Sequence, residues 1–181
     1  MVAPRVRGRG RCSTQGGELV TDDTALISWV DPGLVSGLAH YDLGTRVFGS
    51  SQHDKSGLLA RLEELNATAG DRMMFLGWEA YLKAGGPQAG TSEYSEEVIG
   101  ALKDFARTQY VRTLTPQPSS ARKLGSKVFL RRLGWYTPGQ VHANDASMHL
   151  LADLMRMKPR MPVEIHETLF PGYRPGVTIP T

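Results

Sequence analysis

The stretch 26–42, LISWVDPGLVSGLAHYD, constrains the fold more than any other part of the 181-residue chain. Two short apolar runs, 25–30 and 37–41, flank a turn reading Asp31-Pro32-Gly33. Ile27, Trp29 and Val30 favour a buried strand, and Pro-Gly stops it sharply. Gly33 and Gly37 give the backbone freedom to turn back, so the second run pairs antiparallel with the first. Asp31 then stands at the end of a buried strand. A carboxylate there is costly unless it is exposed, paired or bound to a cation. The plain alternative is a hairpin corner that Asp31 caps, so its partners must be sought further along the chain.

Length and composition suit one soluble domain with tails: hydrophobic residues make up 40% and charged residues 22%. No apolar run approaches the roughly 20 residues of a membrane helix, and the opening MVAPRVRGRGRCST has no apolar segment of a secretory signal. The single cysteine, Cys12, excludes an internal disulfide and a cysteine-built zinc site, and the default setting is reducing and intracellular. The formal net charge of +3 points weakly to polyanions. Its distribution says more. Arg5, Arg7, Arg9 and Arg11 alternate with small residues, and Arg122, Lys123, Lys127, Arg131 and Arg132 form a second cluster. Each cluster alone reads equally as a solvated surface.

Residues 1–23 read as a disordered basic arm, 24–157 as one folded domain and 158–181 as a Pro-rich tail, extended or partly disordered. Within the domain, strands are predicted at 25–30, 37–43 and 46–52, forming an antiparallel meander. A helix follows through Leu58, Leu59, Leu62 and Leu65, stopped by Gly70. The run 72–79 reads as a buried strand parallel to the first, with Glu79 at its end on the same sheet edge as Asp31. A loop at 83–94, a helix at 95–109 with Ser95 as N-cap, and a strand at 110–114 come next. A helix starting near Ser119 or Ser120 would carry the basic cluster, and a last helix spans 144–157. The fold class is therefore α/β: a mixed five-stranded sheet, antiparallel meander plus parallel strands, flanked by helices.

His142 and Asp145 stand three apart at the start of that last helix and so share a face. Together with Asp31 and Glu79 they would place three carboxylates and an imidazole at one sheet edge. Without lysine partners such a set repels unless divalent cations neutralise it. Oxygen-rich ligands suit Mg2+, and the imidazole leans towards tolerance of Mn2+. This is the protein half of a two-metal phosphodiester hydrolase.

The pattern resembles the RuvC-type Holliday junction resolvases, especially the short RuvC-like resolvases of actinobacterial phages. DPGLVSGLAHYD is similar to their strand–DPG–turn–strand signature, the apolar run ending in Glu79 to their second acidic position, and VHANDA to their closing motif. Arg122 and Lys123 fall where the family carries basic residues near the site. The resemblance covers about 25–157 in the family's order. It implies an RNase H-like fold and a homodimer cutting four-way DNA junctions with Mg2+, in the cytoplasm of a bacterial host if the chain is phage-encoded. Asp31, Glu79, His142 and Asp145 would be catalytic metal ligands. The basic arm, the loop 83–94 and the Pro-rich tail depart from the bacterial pattern.

Arg122, Lys123 and Lys127 are expected to contact DNA phosphates, and Tyr81 to stack on a base at the branch point or else pack under its loop. His149 and Asp153 continue the His142 face further along the helix and read as surface residues or as groups behind the site. Trp29, Trp78 and Trp135 are expected in the core. The stripe Val98, Leu102 and Phe105 suits core packing, with a dimer surface as its other use. Two rival functions stand beside the nuclease: a catalytically silent branched-DNA-binding protein, and an ATP-handling member of the same broad fold, which would want a second glycine-rich phosphate loop where none is evident after Tyr110.

Overall fold

The computed structural model describes residues 24–80, 93–157 and 161–171. Strand β1 (Leu26–Asp31) pairs antiparallel with β2 (Ser36–Asp42), and β2 with β3 (Val47–His53), completing the expected meander. Helix α1 (Lys55–Ala69) then crosses to β4 (Met74–Ala80), which lies parallel to β1 with Val30 opposite Trp78. After helix α2 (Glu93–Thr108), the short strands β5 (Arg112–Thr113) and β6 (Gln117–Pro118) both pair parallel with β4. The order β3-β2-β1-β4-β5, with β6 also on β4, gives the expected mixed sheet, with six strands where five were expected. A short 3-10 segment (Ser119–Lys123), helix α3 (Lys127–Arg132), helix α4 (Val141–Arg156) and helix α5 (Val163–Leu169) complete the described chain.

Alternation along the strands decides which side chains meet which helices. Leu26 and Val30 of β1, Leu38 of β2, and Met74, Leu76 and Trp78 of β4 pack with Leu58 and Leu62 of α1 and with Val98, Leu102 and Phe105 of α2. The α2 stripe is therefore spent in the core and is not a dimer surface. The opposite face, with Ile27, Trp29, Ala39, Tyr41 and Phe75, packs against Leu150, Leu151 and Leu154 of α4. Each fully buried leucine contributes about 1.5–3 kcal/mol, which anchors α4 across the sheet. All three tryptophans are core residues, as expected. By the same alternation Asp31 falls on the face of Trp29, and Glu79 on the face of Phe75. Both look towards α4.

Several boundaries differ from the expected ones for local reasons. Asp54 caps α1 by accepting from Gly57 N at 2.7 Å, so the helix starts at Lys55. Ser95 lies inside α2, which begins at Glu93, and its buried hydroxyl donates to Pro32 O at 3.1 Å. Tyr110 adopts φ 56°, a left-handed conformation just past the helix end, so the strand expected at 110–114 shrinks to two residues. Helix α4 begins at Val141, three residues earlier than the 144–157 reading. The tail is not extended throughout. Val163–Leu169 are helical, with Ile165 and Leu169 buried in the core and Glu164 bonded to Tyr41 and Arg46. The arm 1–23, most of the loop 83–94 and the rest of the tail lie outside the described residues. No helix among the described residues is long and apolar enough to cross a membrane.

Candidate active site

Asp31 ends β1 and Glu79 is the next-to-last residue of β4, one step beyond the paired Val30 and Trp78, so the two stand side by side at one sheet edge. The third carboxylate arrives on α4, whose start is held by the far side of the sheet. Gln52 of β3 offers Oε1 to His142 N at 2.9 Å and to Ala143 N at 3.4 Å, taking up two of the free N–H groups of the first turn. The Asn144 side chain bonds both the N and the O of Thr137, at 2.9 and 2.7 Å, and ties the preceding loop to the same turn. So braced, α4 places the His142 Nδ1 2.9 Å from Asp31 Oδ2 and presents Asp145 beside it. Sequence reasoning missed Gln52 and Asn144. Neither carries a signal beyond being polar.

The carboxylates have a cationic partner, an arginine and not a lysine, from the stretch expected near the site. The Arg122 guanidinium pairs with Asp145 and reaches to 3.8 Å from Glu79 Oε1. It gets there because the basic stretch is not the single helix anticipated: it runs as the 3-10 segment, breaks at Gly125, and restarts as α3. A Cβ on Gly125 would lie 2.0 Å from Met148 O, so glycine lets this segment lie directly on α4. Lys123 and Lys127 are exposed neighbours on the same stretch. Tyr81 lies outside the described residues. His149 is fully buried and Asp153 largely so, both behind the carboxylates and not on the surface.

The electrostatics separate the two strand-end carboxylates. Burial, with Glu79 and Asp145 adding repulsion, pushes the Asp31 carboxyl up to about 6 against the opposing hydrogen bond from His142. Burial also raises Glu79, but His149, Arg122 and a hydrogen bond with Asp31 outweigh it and hold Glu79 below its ordinary value. The edge is short of positive charge at Asp31 and supplied with it at Glu79.

Three carboxylates and an imidazole have the donor chemistry of a hard divalent cation, and the raised Asp31 carboxyl is what such a cation would relieve. Asp31, Glu79 and Asp145, with His142, would hold it. As they stand, each is engaged otherwise, by His142, His149 and Arg122. Among the described residues no three His, Cys, Asp or Glu side chains converge closely enough to grip one ion.

No protein-family model matches the chain, and no curated protein matches it. Among solved structures it is similar to T. thermophilus RuvC in complex with Holliday junction substrate, at 16% identity over 74% of this chain and 96% of that one, with a TM-score of 0.49. It also resembles a chain of the simian T-cell lymphotropic virus intasome in complex with the PP2A regulatory subunit B56 gamma, at 13% identity over 94% of this chain and 64% of that one, with a TM-score of 0.32.

Proposed function

We propose that this chain is a divalent-metal-dependent endodeoxyribonuclease that cuts branched DNA, with the four-way junction as its preferred substrate. The observation that carries the proposal is that Asp31 and Glu79 end neighbouring parallel strands while Asp145, on the first turns of α4, is bridged to Glu79 through Arg122. The preference for junctions rests on the motifs DPGLVSGLAHYD and VHANDA and on their resemblance to the RuvC-type resolvases. When bound, Mg2+ or Mn2+ supplies an activated water and neutralises charge at the leaving oxygen. The protein's own part is positional. Asp31 and Glu79 are fixed by the ends of paired strands, and Asp145 by the braced first turn of α4.

Arg122 has two anionic claimants in this scheme, the carboxylates and a DNA phosphate. A bound phosphate would compete with Asp145 for the Arg122 guanidinium, and Asp145 released from that pair would be available with Asp31 and Glu79 to hold a cation. Lys123 and Lys127 extend the same basic stretch towards solvent, where they meet phosphates without reading bases. Two nicks on opposed strands call for two sites, which a symmetric homodimer provides.

Labelled four-way, flap and duplex substrates, incubated with Mg2+ or Mn2+, test the reading. Cleavage of the four-way junction well above the duplex, abolished by chelation, is the expected result. Junction binding with no cleavage under either ion overturns it in favour of the silent DNA-binding protein, for which the closed Arg122–Asp145 pair is the supporting observation. A second expectation concerns the basic stretch. Replacing Arg122, Lys123 and Lys127 together by Ala should weaken binding to every DNA shape alike. The slope of log K against log salt should fall by about 2–3. An unchanged slope, read by fluorescence anisotropy between low and moderate salt, removes these residues from the interface.

A further inference from the structure

Behind the carboxylates lies a buried polar assembly for which the proposed reaction has no direct use. His149 of α4 is fully buried and stacks on the Trp29 indole, with ring centroids 5.6 Å apart and planes inclined by 16°. Its Nε2 faces Glu79 Oε2 at 3.2 Å and its Nδ1 faces Gln117 Oε1 at 3.2 Å. Gln117, buried in β6, donates from Nε2 to Asp153 Oδ1 at 3.4 Å. Asp153 Oδ2 and Trp29 Nε1 end the chain, neither closing a hydrogen bond of ordinary length. Glu79, His149, Gln117 and Asp153 thus form one line of polar groups running from the sheet edge into the core.

Such a line is expensive. Each buried polar group costs on the order of 1–3 kcal/mol when poorly paired, and an apolar residue at position 149 would fill the space between Trp29 and Glu79 more cheaply. What an apolar residue cannot supply is a donor at a fixed point. The imidazole is held flat by the indole on one face and from behind by Gln117, so its Nε2 can engage only one oxygen of Glu79. That oxygen is Oε2, which leaves Oε1 turned towards Arg122 and the open edge.

We infer that His149 is a positioning residue: locked by Trp29, Gln117 and Asp153, it fixes the Glu79 carboxylate with Oε1 presented to the site. The inference deepens the nuclease reading and rests on it, since it assigns Glu79 a ligand's role. Hydrogen bonds behind metal ligands of this kind are typically worth 10–100-fold in affinity or rate.

The test compares variants of the whole protein that keep or remove the donor. His149→Gln sets an amide nitrogen where Nε2 stands, whereas His149→Asn falls short and His149→Leu has no donor. Calorimetric titration of Mn2+ into the DNA-free protein, single-turnover junction cleavage, junction binding in Ca2+ and thermal melting are read for each. Expected are near wild-type values for His149→Gln. His149→Asn and His149→Leu should lose about 10–100-fold in Mn2+ affinity and in cleavage rate, with junction binding unchanged. Gln117→Met, which removes the support behind the ring, should fall between, and decides the matter if the His149→Leu protein does not fold. Equal losses in the Gln, Asn and Leu variants, or losses that follow the melting temperature alone, overturn the inference while wild type still binds Mn2+ and cuts. A wild-type protein that neither binds Mn2+ nor cuts overturns the nuclease reading and this inference with it.

Discussion

Replacing Asp31 by Asn should abolish junction cleavage and, above pH 6, make the protein more stable. The two effects share one cause. Burial and the neighbouring Glu79 and Asp145 push the Asp31 carboxyl from its ordinary 3.8 up to about 6. Between those values the folded chain holds a proton that the unfolded chain has released. Stability therefore falls as pH rises through this window and stays at the lower level above it. A gap of about two pKa units corresponds to about 3 kcal/mol. Asparagine keeps an oxygen for the hydrogen bond from His142 but carries no charge, so it escapes that cost at neutral pH. In a chain of this size the melting temperature should rise by roughly 5–10 °C at pH 8 and by little at pH 4. Added Mg2+ should raise the melting temperature of the wild type and not of the variant. DNA binding should persist, since removing negative charge favours phosphate. Residual cleavage, or a melting temperature at pH 8 that does not rise, would remove Asp31 from the centre of the site.

That a buried acid should sit where it weakens the fold is legible in the sequence only in part. The strand–Asp-Pro-Gly–strand pattern announces the first hairpin because proline and glycine mark its corner, and the run MMFLGWE announces a buried strand ending in an acid. Strand alternation, with the parallel pairing of β1 and β4, then puts Asp31 and Glu79 on one face. The three-residue spacing of His142 and Asp145 delivers the third carboxylate. The resemblance puts Arg122 near the site, but sequence does not reveal that it pairs with the carboxylates. Arg122 lies in an irregular stretch with no period to read, and its path depends on Gly125 meeting the backbone of α4. Helix α5 is hidden for a related reason: it is short, it sits among prolines, and it is held by contacts with Tyr41 and Arg46 more than 100 residues away in sequence. His149 and Asp153 had the right spacing, but nothing in a single helix says whether its continuing face meets solvent or a sheet.

Gly37 is the sharpest case of a residue whose meaning changes with the structure in view, and its substitution should have the other large effect. In sequence it reads as a second turn glycine after Gly33. In the fold it lies inside β2, opposite Asp31, with the first turn of α4 pressed onto its face of the sheet. A Cβ there would stand 1.9 Å from His142 O, 2.2 Å from His142 C and 2.7 Å from Ala143 N, all backbone atoms that no rotamer change can move aside. Relief requires α4 to retreat by about 1–2 Å, which loosens the hold of Gln52 on its N-terminus and carries His142, Asp145 and His149 away from the strand ends. Overpacking of this kind costs about 1–3 kcal/mol or more, and a 1 Å misplacement of reacting groups costs about 100-fold in rate. Gly37→Ala should therefore lower the melting temperature by several degrees and cleavage by at least about 100-fold. Gly33→Ala is the internal control. Its added methyl meets only Val35 O at 3.3 Å, so the turn glycine of the same motif should accept alanine with little loss of either. Near wild-type cleavage in Gly37→Ala, or equal damage from the two substitutions, would mean that the approach of α4 to β2 does not set the site.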